Sequence, residues 1–336
     1  MQNYHPYHMS SSTQNDTLLH SPIYLSDIFL KNGPNEPFIR VTLVPCATNP
    51  NESFAIVYQL SHTAGDGATY YKLMEMLCSE DKDEDDDNET TIAELIPERI
   101  KESKNMQIDI LGATEENFLT SFGFSLMTML GLIKNQFKGH IPVEYTFIDP
   151  VHVETLKQSS SGKVDSSGIT VPYVSTNDIL TSHILTNSKS VHGMMAINWR
   201  NRLKGHTSLH AGNYENFIFY RKQDAFEPEL IRESLLDGKY KRAVTTDMAF
   251  PSWYEVVNST FTCVTNWSTF AKPNVIGNCV EDVHFPVILA EAVPSHKLRM
   301  FIIFRSGRDN KIGICYPRGM IDVDADSNDP FGLMKR

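Results

Sequence analysis

The sequence predicts an α/β protein built from mixed sheets, because segments of strand character and helix character follow one another without strict alternation. Two observations in the first half of the chain support this prediction. Apolar residues alternate with polar ones along 39–43 and again along 54–60, which is the period of a half-buried strand. Beyond these strands, Tyr70, Leu73 and Leu77 recur at helical spacing and predict a helix with one buried face.

The second half of the chain opens on a predicted helix and continues with long strands. Ser175 is followed three residues later by Asp178, which is the pattern of a capping box at the start of a helix. Strands are predicted at 190–199, 214–220, 260–266, 297–304 and 312–316, and a helix at 227–237. The polar stretch 158–168, QSSSGKVDSSG, predicts a flexible linker between an N-terminal domain (1–157) and a C-terminal domain (169–336).

Composition and charge limit the classes of partner. Hydrophobic residues make up 41% and charged residues 21% of the 336 positions, which is ordinary for a soluble globular protein. The net charge of -11 predicts repulsion from nucleic-acid phosphates, so no nucleic-acid partner is expected. The acidic run 80–89, EDKDEDDDNE, is interpreted as a self-repelling surface loop, with an acidic docking segment as the alternative.

Cysteine usage and the apolar segments bear on location. The five cysteines show neither a disulfide framework nor a structural zinc pattern. The N-terminal residues lack the profile of a secretory signal, so a cytoplasmic location is expected. The chain is also expected to be a monomer. The apolar segment 118–133 is shorter than the ~20 residues of a spanning helix. It predicts a buried helix, and the alternatives are the wall of a tunnel or a helix that contacts a membrane surface.

The hexapeptide HTAGDG, 62–67, lies where the second predicted strand ends and the first predicted helix is about to begin. A side chain at the end of a strand is held rigidly and can still face a cleft. The ordinary pKa of histidine, about 6.5, lets His62 accept a proton near neutral pH. Gly65 and Gly67 permit a tight backbone path, and Asp66 is close enough to steer the loop. The alternative is a surface histidine in a glycine turn.

HTAGDG resembles the active-site motif of the CoA-dependent acyltransferase superfamily. That group includes the BAHD acyltransferases, chloramphenicol acetyltransferase and the condensation domains of peptide synthetases. Four further segments are similar to this family and follow in the family's order: VEYTFIDPVHVETLKQ, STNDILTSHI, MMAINWRNRLKG with HAGNYEN after it, and FTCVTNWSTF. The resemblance as a whole extends over about residues 39–305. This collinear order is more specific than any one of the motifs.

The resemblance implies a fold of two chloramphenicol-acetyltransferase-like mixed-sheet sandwich domains. The first domain is expected to be reduced, because only 61 residues precede His62 where the family has a longer first segment. The sequence also departs from the BAHD pattern after the Thr-x-Trp element. NVIGNCVEDVHFP stands where that group carries a DFGWG motif, which separates this chain from the BAHD pattern at that point.

The resemblance also implies roles for site residues. His62 matches the catalytic base, and Asp66, followed by Gly67, matches an aspartate that supports the loop by pairing with an arginine. Arg200 is the expected partner, in preference to Arg202, and an ordinary ion pair is the alternative interpretation.

Two further residues match positions that line the family's catalytic channel. Thr265 and Trp267 correspond to groups that can donate hydrogen bonds to the developing oxyanion. A threonine and a tryptophan of a core strand are the alternative.

The expected function is transfer of an acyl group from acyl-CoA, as co-substrate, to a small-molecule alcohol or amine. No permanently bound cofactor is expected. The chain has no GxSxG elbow and no P-loop, which argues against a serine hydrolase or a kinase. His206 and His210 lack an evident third ligand, so no metal site is expected. The alternative function is that of a catalytically inactive family member acting as a binding protein.

Overall fold

The computed structural model describes residues 37–78, 94–136, 142–221, 224, 227–243, 250–272, 274–276, 278–287 and 297–321. The acidic run 80–89 lies outside these residues. The chain divides into two compact units: the first comprises Met1–Glu98 with Leu209–Asn213, and the second comprises Arg99–Ser208 with Tyr214–Arg336. This division differs from the domain boundary predicted at 158–168, which stays a prediction.

The first unit contains a β-hairpin followed by a helix. Strands β1 (Ile39–Pro45) and β2 (Phe54–Leu60) pair antiparallel along their whole length. Helix α1 (Gly67–Leu77) buries Tyr71, and the ring of Tyr70 meets that of Tyr58 edge-on at 4.8 Å. The two strands and the helix expected from the hydrophobic periodicity are therefore confirmed.

A distant piece of chain completes this unit. Residues 209–213 pair with the segment after α1: the amide of Ile96 donates to the carbonyl of Leu209, and the amide of Ala211 donates to the carbonyl of Ile96. Both bonds are short, at 2.9 and 2.8 Å. The segment therefore belongs to the first unit although more than a hundred residues separate it in sequence.

The second unit contains the other helices and strands. In chain order they are α2 (Ser103–Leu111), α3 (Ala113–Glu116), α4 (Phe122–Gln136), β3 (Val143–Phe147), α5 (Pro150–Ser160), α6 (Thr176–Asn187), β4 (His192–Asn198), β5 (Glu215–Arg221), α7 (Pro228–Glu233), α8 (Trp253–Asn258), β6 (Phe261–Asn266), β7 (Val275–Ile276), β8 (Cys279–Val280), β9 (Leu298–Ser306) and β10 (Lys311–Pro317). Short 3-10 helices lie at Phe118–Thr120 and Leu236–Gly238.

A mixed sheet organises the second unit. Among the described residues it has six strands in the order β3-β10-β9-β6-β4-β5. The central neighbours β4, β6 and β9 run parallel, and the remaining pairs are antiparallel. The prediction of an α/β architecture with mixed sheets is confirmed, and so are the long strands predicted between 190 and 316.

The two faces of the sheet bury different apolar clusters, because successive strand residues point to opposite sides. One face packs against α2, α5, α6 and α7 through residues such as Phe301 and Ile303. The opposite face carries two clusters: Phe261 packs with α4 and α8, and Phe304 packs with Cys315 and other residues near β3. Helices cover both sides of the sheet, which makes it the core of this unit.

Helix α4 lies in the apolar segment that was predicted to be a buried helix, but only one side of it is buried. Phe124 and Met127 pack into the cluster around Phe261. Phe122 and Met129, on the other side, are exposed. Within the described ranges, none of the helices has both the length and the apolar character needed to cross a membrane.

The region between α5 and α6 is a closed turn. The side chain of Asp165 accepts hydrogen bonds from the backbone amides of Ser167 and Ile169, at 2.9 and 3.0 Å. The predicted capping box follows it and is confirmed: the hydroxyl of Ser175 accepts from the amide of Asp178, whose carboxylate accepts from the amide of Ser175. Residues 158–160 of the region predicted as a linker belong to α5, and α6 begins at Thr176, beyond the end of that region.

Candidate active site

His62 lies on a tight turn at the end of β2. The amide of Ser61 donates to the carbonyl of Phe38, which continues the pairing of the hairpin by one residue, and the amide of Ala64 then donates back to the carbonyl of Ser61. The side chain of His62 is exposed on this turn. The arrangement presents the imidazole at the end of a paired strand, where a reacting group can reach it.

Asp66 begins helix α1. Its backbone is extended, and its side-chain Oδ1 accepts a hydrogen bond of 3.0 Å from the amide of Thr69. An aspartate in this position satisfies one of the amides that the first turn of a helix leaves without a partner. Asp66 is 2% exposed, so this contact is shielded from water. The resemblance predicts that Asp66 supports the loop, and in the structure Asp66 is the N-cap of α1.

Gly65 is required by the close approach of the loop to α1. A Cβ atom at this position would lie 2.7 Å from Cβ of Thr69, which is too close for any side chain without a shift of the helix. Gly67 is the first residue of α1. The supporting role expected of Gly67 stays a prediction.

The segment 209–213 holds the loop from outside the motif. The amide of Gly212 donates to the hydroxyl of Thr69 at 3.0 Å, and that hydroxyl is 3.0 Å from the carbonyl of Gly212. The same carbonyl accepts from the amide of Asp66 at 3.3 Å. The side-chain amide of Asn213 donates to the carbonyl of His62 at 2.7 Å. Thr69, Gly212 and Asn213 are site residues for which the sequence suggested no role, although HAGNYEN was among the family-like segments.

Thr265 and Trp267 lie at the end of β6 in the second unit. They are two residues apart, so their side chains point to the same face of the sheet, and both are half-buried. Trp267 packs against the cluster of Phe304 and Cys315, and its backbone amide donates to the carbonyl of Ile303 at 2.8 Å. The channel-lining role expected of Thr265 and Trp267 stays a prediction.

Asn266, between them, points to the opposite face. Its side-chain amide donates to Oδ1 of Asn177 at 2.9 Å, which connects the end of β6 to the start of α6. A cleft of about 820 Å³ opens beside this contact, and its lining includes the cations Lys157 and Arg305. Thr265 and Trp267 are not among the lining residues, so this cleft and the predicted channel positions lie on different sides of β6.

Arg200 follows β4 and is almost fully buried. Its Nη1 and its backbone amide both donate to Oδ1 of Asn198, at 3.1 and 3.0 Å, and its guanidinium lies 5.2 Å from the ring centre of Tyr214. Asp66 belongs to the first unit and Arg200 to the second. The pairing between them stays a prediction.

The histidines considered as metal ligands have other contacts. The Nε2 atom of His206 is 2.8 Å from the hydroxyl of Ser103, and its Nδ1 is 3.1 Å from the carbonyl of Lys204. His206 is buried, and both of its ring nitrogens have these partners inside the protein. Across the part of the chain that the structure describes, no three His, Cys, Asp or Glu residues are grouped as metal ligands would be.

Comparison with known proteins gives matches to solved structures alone. No model of a protein family matches the sequence, and no curated protein does. The chain is similar to F. graminearum TRI101 complexed with ethyl coenzyme A, with a TM-score of 0.42 and 13% identity over 84% of this chain and 66% of that one. It is similar to vinorine synthase, with a TM-score of 0.43 and 11% identity over 90% of this chain and 67% of that one.

A third neighbour is the first condensation domain of the CDA synthetase, with a TM-score of 0.42 and 10% identity over 84% of this chain and 61% of that one. The chain thus spans about two thirds of the length of the structures it matches. These structural neighbours are two BAHD acyltransferases and a condensation domain, all of the chloramphenicol-acetyltransferase-like fold family.

Proposed function

We propose that this chain is an acyltransferase that moves an acyl group from acyl-CoA to an alcohol or amine, with His62 as the general base. The observation that carries the proposal is the exposed His62 on a turn whose backbone is held on both sides. The paired end of β2 precedes it, and the N-cap of α1 follows it. A base must keep its geometry while remaining accessible, and this turn combines the two properties.

The chemistry needs one proton acceptor and no covalent intermediate on the protein. Nε2 of His62 takes the proton of the acceptor hydroxyl or amine while the acceptor atom attacks the thioester carbonyl carbon. The tetrahedral intermediate then collapses, the carbon–sulfur bond breaks, and the imidazolium returns its proton to the departing thiolate. His62 ends the cycle neutral, and the products are the ester or amide and free CoA.

Thr265 and Trp267 are the proposed donors to the oxyanion of that intermediate. A threonine hydroxyl and an indole N–H both donate hydrogen bonds, and preorganised donors of this kind stabilise developing charge strongly. Their shared face and their partial burial support this role. In the same proposal Asp66 pairs with Arg200, in addition to capping α1.

The proposal is tested by thiol release from a panel of acyl-CoAs with mixed alcohol and amine acceptors. Wild type is expected to release thiol only when an acceptor is present. His62→Ala is expected to lower the rate roughly 10²-fold or more, because positioned bases contribute about that factor. His152→Ala serves as the matched control, since His152 lies on α5 outside the candidate site.

Two results would contradict the proposal in different ways. A folded wild-type protein that binds CoA and releases no thiol with any acceptor would favour an inactive binding protein. Thiol release that His62→Ala leaves unchanged would show acyl transfer with some other base.

A further inference from the structure

We propose that Asn213 is a positioning residue for the base, acting by holding the backbone carbonyl of His62. The effect of Asn213 on turnover rests on the proposed function, in which His62 is the general base. Asn213 lies 151 positions after His62 in sequence and belongs to the same compact unit. Its side-chain amide donates to the carbonyl oxygen of His62 at 2.7 Å.

The segment that carries Asn213 is itself fixed to helix α1. Gly212, the preceding residue, donates to the hydroxyl of Thr69, and its carbonyl accepts from the amide of Asp66. Thr69 and Gly212 are both buried, so these bonds are shielded from competing water. Asn213 therefore reaches His62 from a backbone that is anchored to the helix following the motif.

The turn at His62 needs such a contact because apolar packing does little there. His62 and Thr63 are exposed, and the bond from the amide of Ala64 to the carbonyl of Ser61 closes the turn locally. Loops with few buried contacts move more than packed elements. A hydrogen bond to the carbonyl of His62 restricts rotation of the peptide that follows the base, and thereby the direction of the imidazole.

The side-chain chemistry of asparagine suits this role. The contact requires an N–H donor facing a carbonyl oxygen, which the amide supplies and a carboxylate of the same shape lacks. Asn213→Asp therefore replaces the donor by a charged acceptor at nearly constant volume. Asn213→Ala removes the contact without introducing a charge.

The test compares the kinetics of these two variants with a matched control. Asn258→Ala is the control, because Asn258 lies outside the candidate site and its exposed side-chain amide also donates to a backbone carbonyl, at 2.9 Å. We expect kcat to fall about 10- to 100-fold in both Asn213 variants, since a displacement of about 1 Å can cost 10²-fold. KM for acyl-CoA is expected to change less than about twofold, and the control to match wild type.

A second readout does not depend on turnover. The side chains of histidine are labelled with ¹³C, and the imidazole signals are followed by NMR through a pH titration in wild type and in Asn213→Ala, which removes the contact without adding a charge. The signal of His62, assigned with His62→Ala, is expected to shift in position and in apparent pKa while the other histidine signals stay in place.

The two arms separate the possible failures. An active wild type whose kcat survives Asn213→Asp overturns the positioning role and leaves the acyltransferase proposal intact. An inactive wild type overturns the proposed function, and the NMR arm then decides the inference alone. An unchanged His62 signal in Asn213→Ala would overturn it.

Discussion

The unit that carries His62 and the unit that carries the mixed sheet are stabilised differently. In the hairpin of the first unit, apolar side chains such as Val41 and Leu43 are half or more exposed. In the sheet, Phe301 and Ile303 are completely buried. The geometry around His62 depends on hydrogen bonds from Asp66 and from residues 209–213, whereas the sheet depends on apolar packing. The difference teaches that the stability of the sheet and the geometry around His62 should respond to different substitutions.

Removal of a buried side chain from the sheet should have the largest effect on stability. Phe301 packs in the main apolar cluster, and its ring stacks on that of Tyr316 at 5.6 Å. Phe301→Ala is expected to lower the free energy of unfolding by about 3–5 kcal/mol, through lost burial and the cavity that remains. Leu43→Ala, in the hairpin, is expected to cost less than about 1 kcal/mol because Leu43 is 60% exposed. Urea unfolding measures both, and equal losses would contradict the comparison.

A buried histidine should make the sheet unit sensitive to acid. His192 packs against the rings of Phe219 and Phe261, and neither of its ring nitrogens makes a hydrogen bond among the described residues. Burial lowers the pKa of His192 to about 4, with the nearby Glu255 opposing this shift. The unfolded chain, with a histidine pKa of about 6.5, therefore binds the proton more readily than the folded one.

The expected result is a loss of stability as the pH falls from about 6.5 to 4, amounting to roughly 3 kcal/mol. Above about pH 6.5 this contribution is fully present, because His192 is neutral in both states. His192→Phe, which keeps an aromatic ring and cannot titrate, should flatten the dependence in that window. Unfolding measured at a series of pH values provides the check. A slope that His192→Phe leaves intact would show that other groups cause it.

Loss of the N-cap at Asp66 should have a smaller effect on stability than loss of Phe301 or protonation of His192, and a more specific one. Asp66→Ala is expected to cost about 1 kcal/mol, the usual loss when a capping side chain is removed, and Asp66→Ser should restore most of it. Serine cannot pair with an arginine, so the two variants separate the cap from the predicted pair with Arg200. If Asp66→Ser regains stability and kcat stays low, the carboxylate has a second role. Thermal unfolding and thiol release measure the two quantities, and full recovery of kcat would argue against the pair.

The sequence predicted the regular elements well because their signals are local. Alternation of apolar and polar residues placed the two strands of the hairpin, and the spacing of Ser175 and Asp178 placed the start of α6. Local signals failed where neighbours in space decide the outcome. The helix predicted at 227–237 ends at Glu233, and Asp237 adopts a positive φ of 52°.

The candidate site was predictable only in part for the same reason. HTAGDG indicated His62 and Asp66, because motif and periodicity coincide there. The contact from Asn213 to His62 joins residues 151 positions apart, and no periodic pattern connects them. Helix α4 shows a second limit of sequence-based prediction. Its apolar composition predicted burial but did not indicate which side of the helix is covered, because that depends on the packing of Phe124 and Met127.

The most direct test of the central claim follows the acyl group itself. Wild type and His62→Ala are incubated with acyl-CoA carrying a ¹³C-labelled acyl group and an acceptor on which thiol release depends, and the products are identified by mass spectrometry. The account predicts one labelled ester or amide for each thiol released by wild type, with both falling roughly 10²-fold in His62→Ala. Labelled free acid in place of acylated acceptor, or equal product from the two proteins, would contradict it.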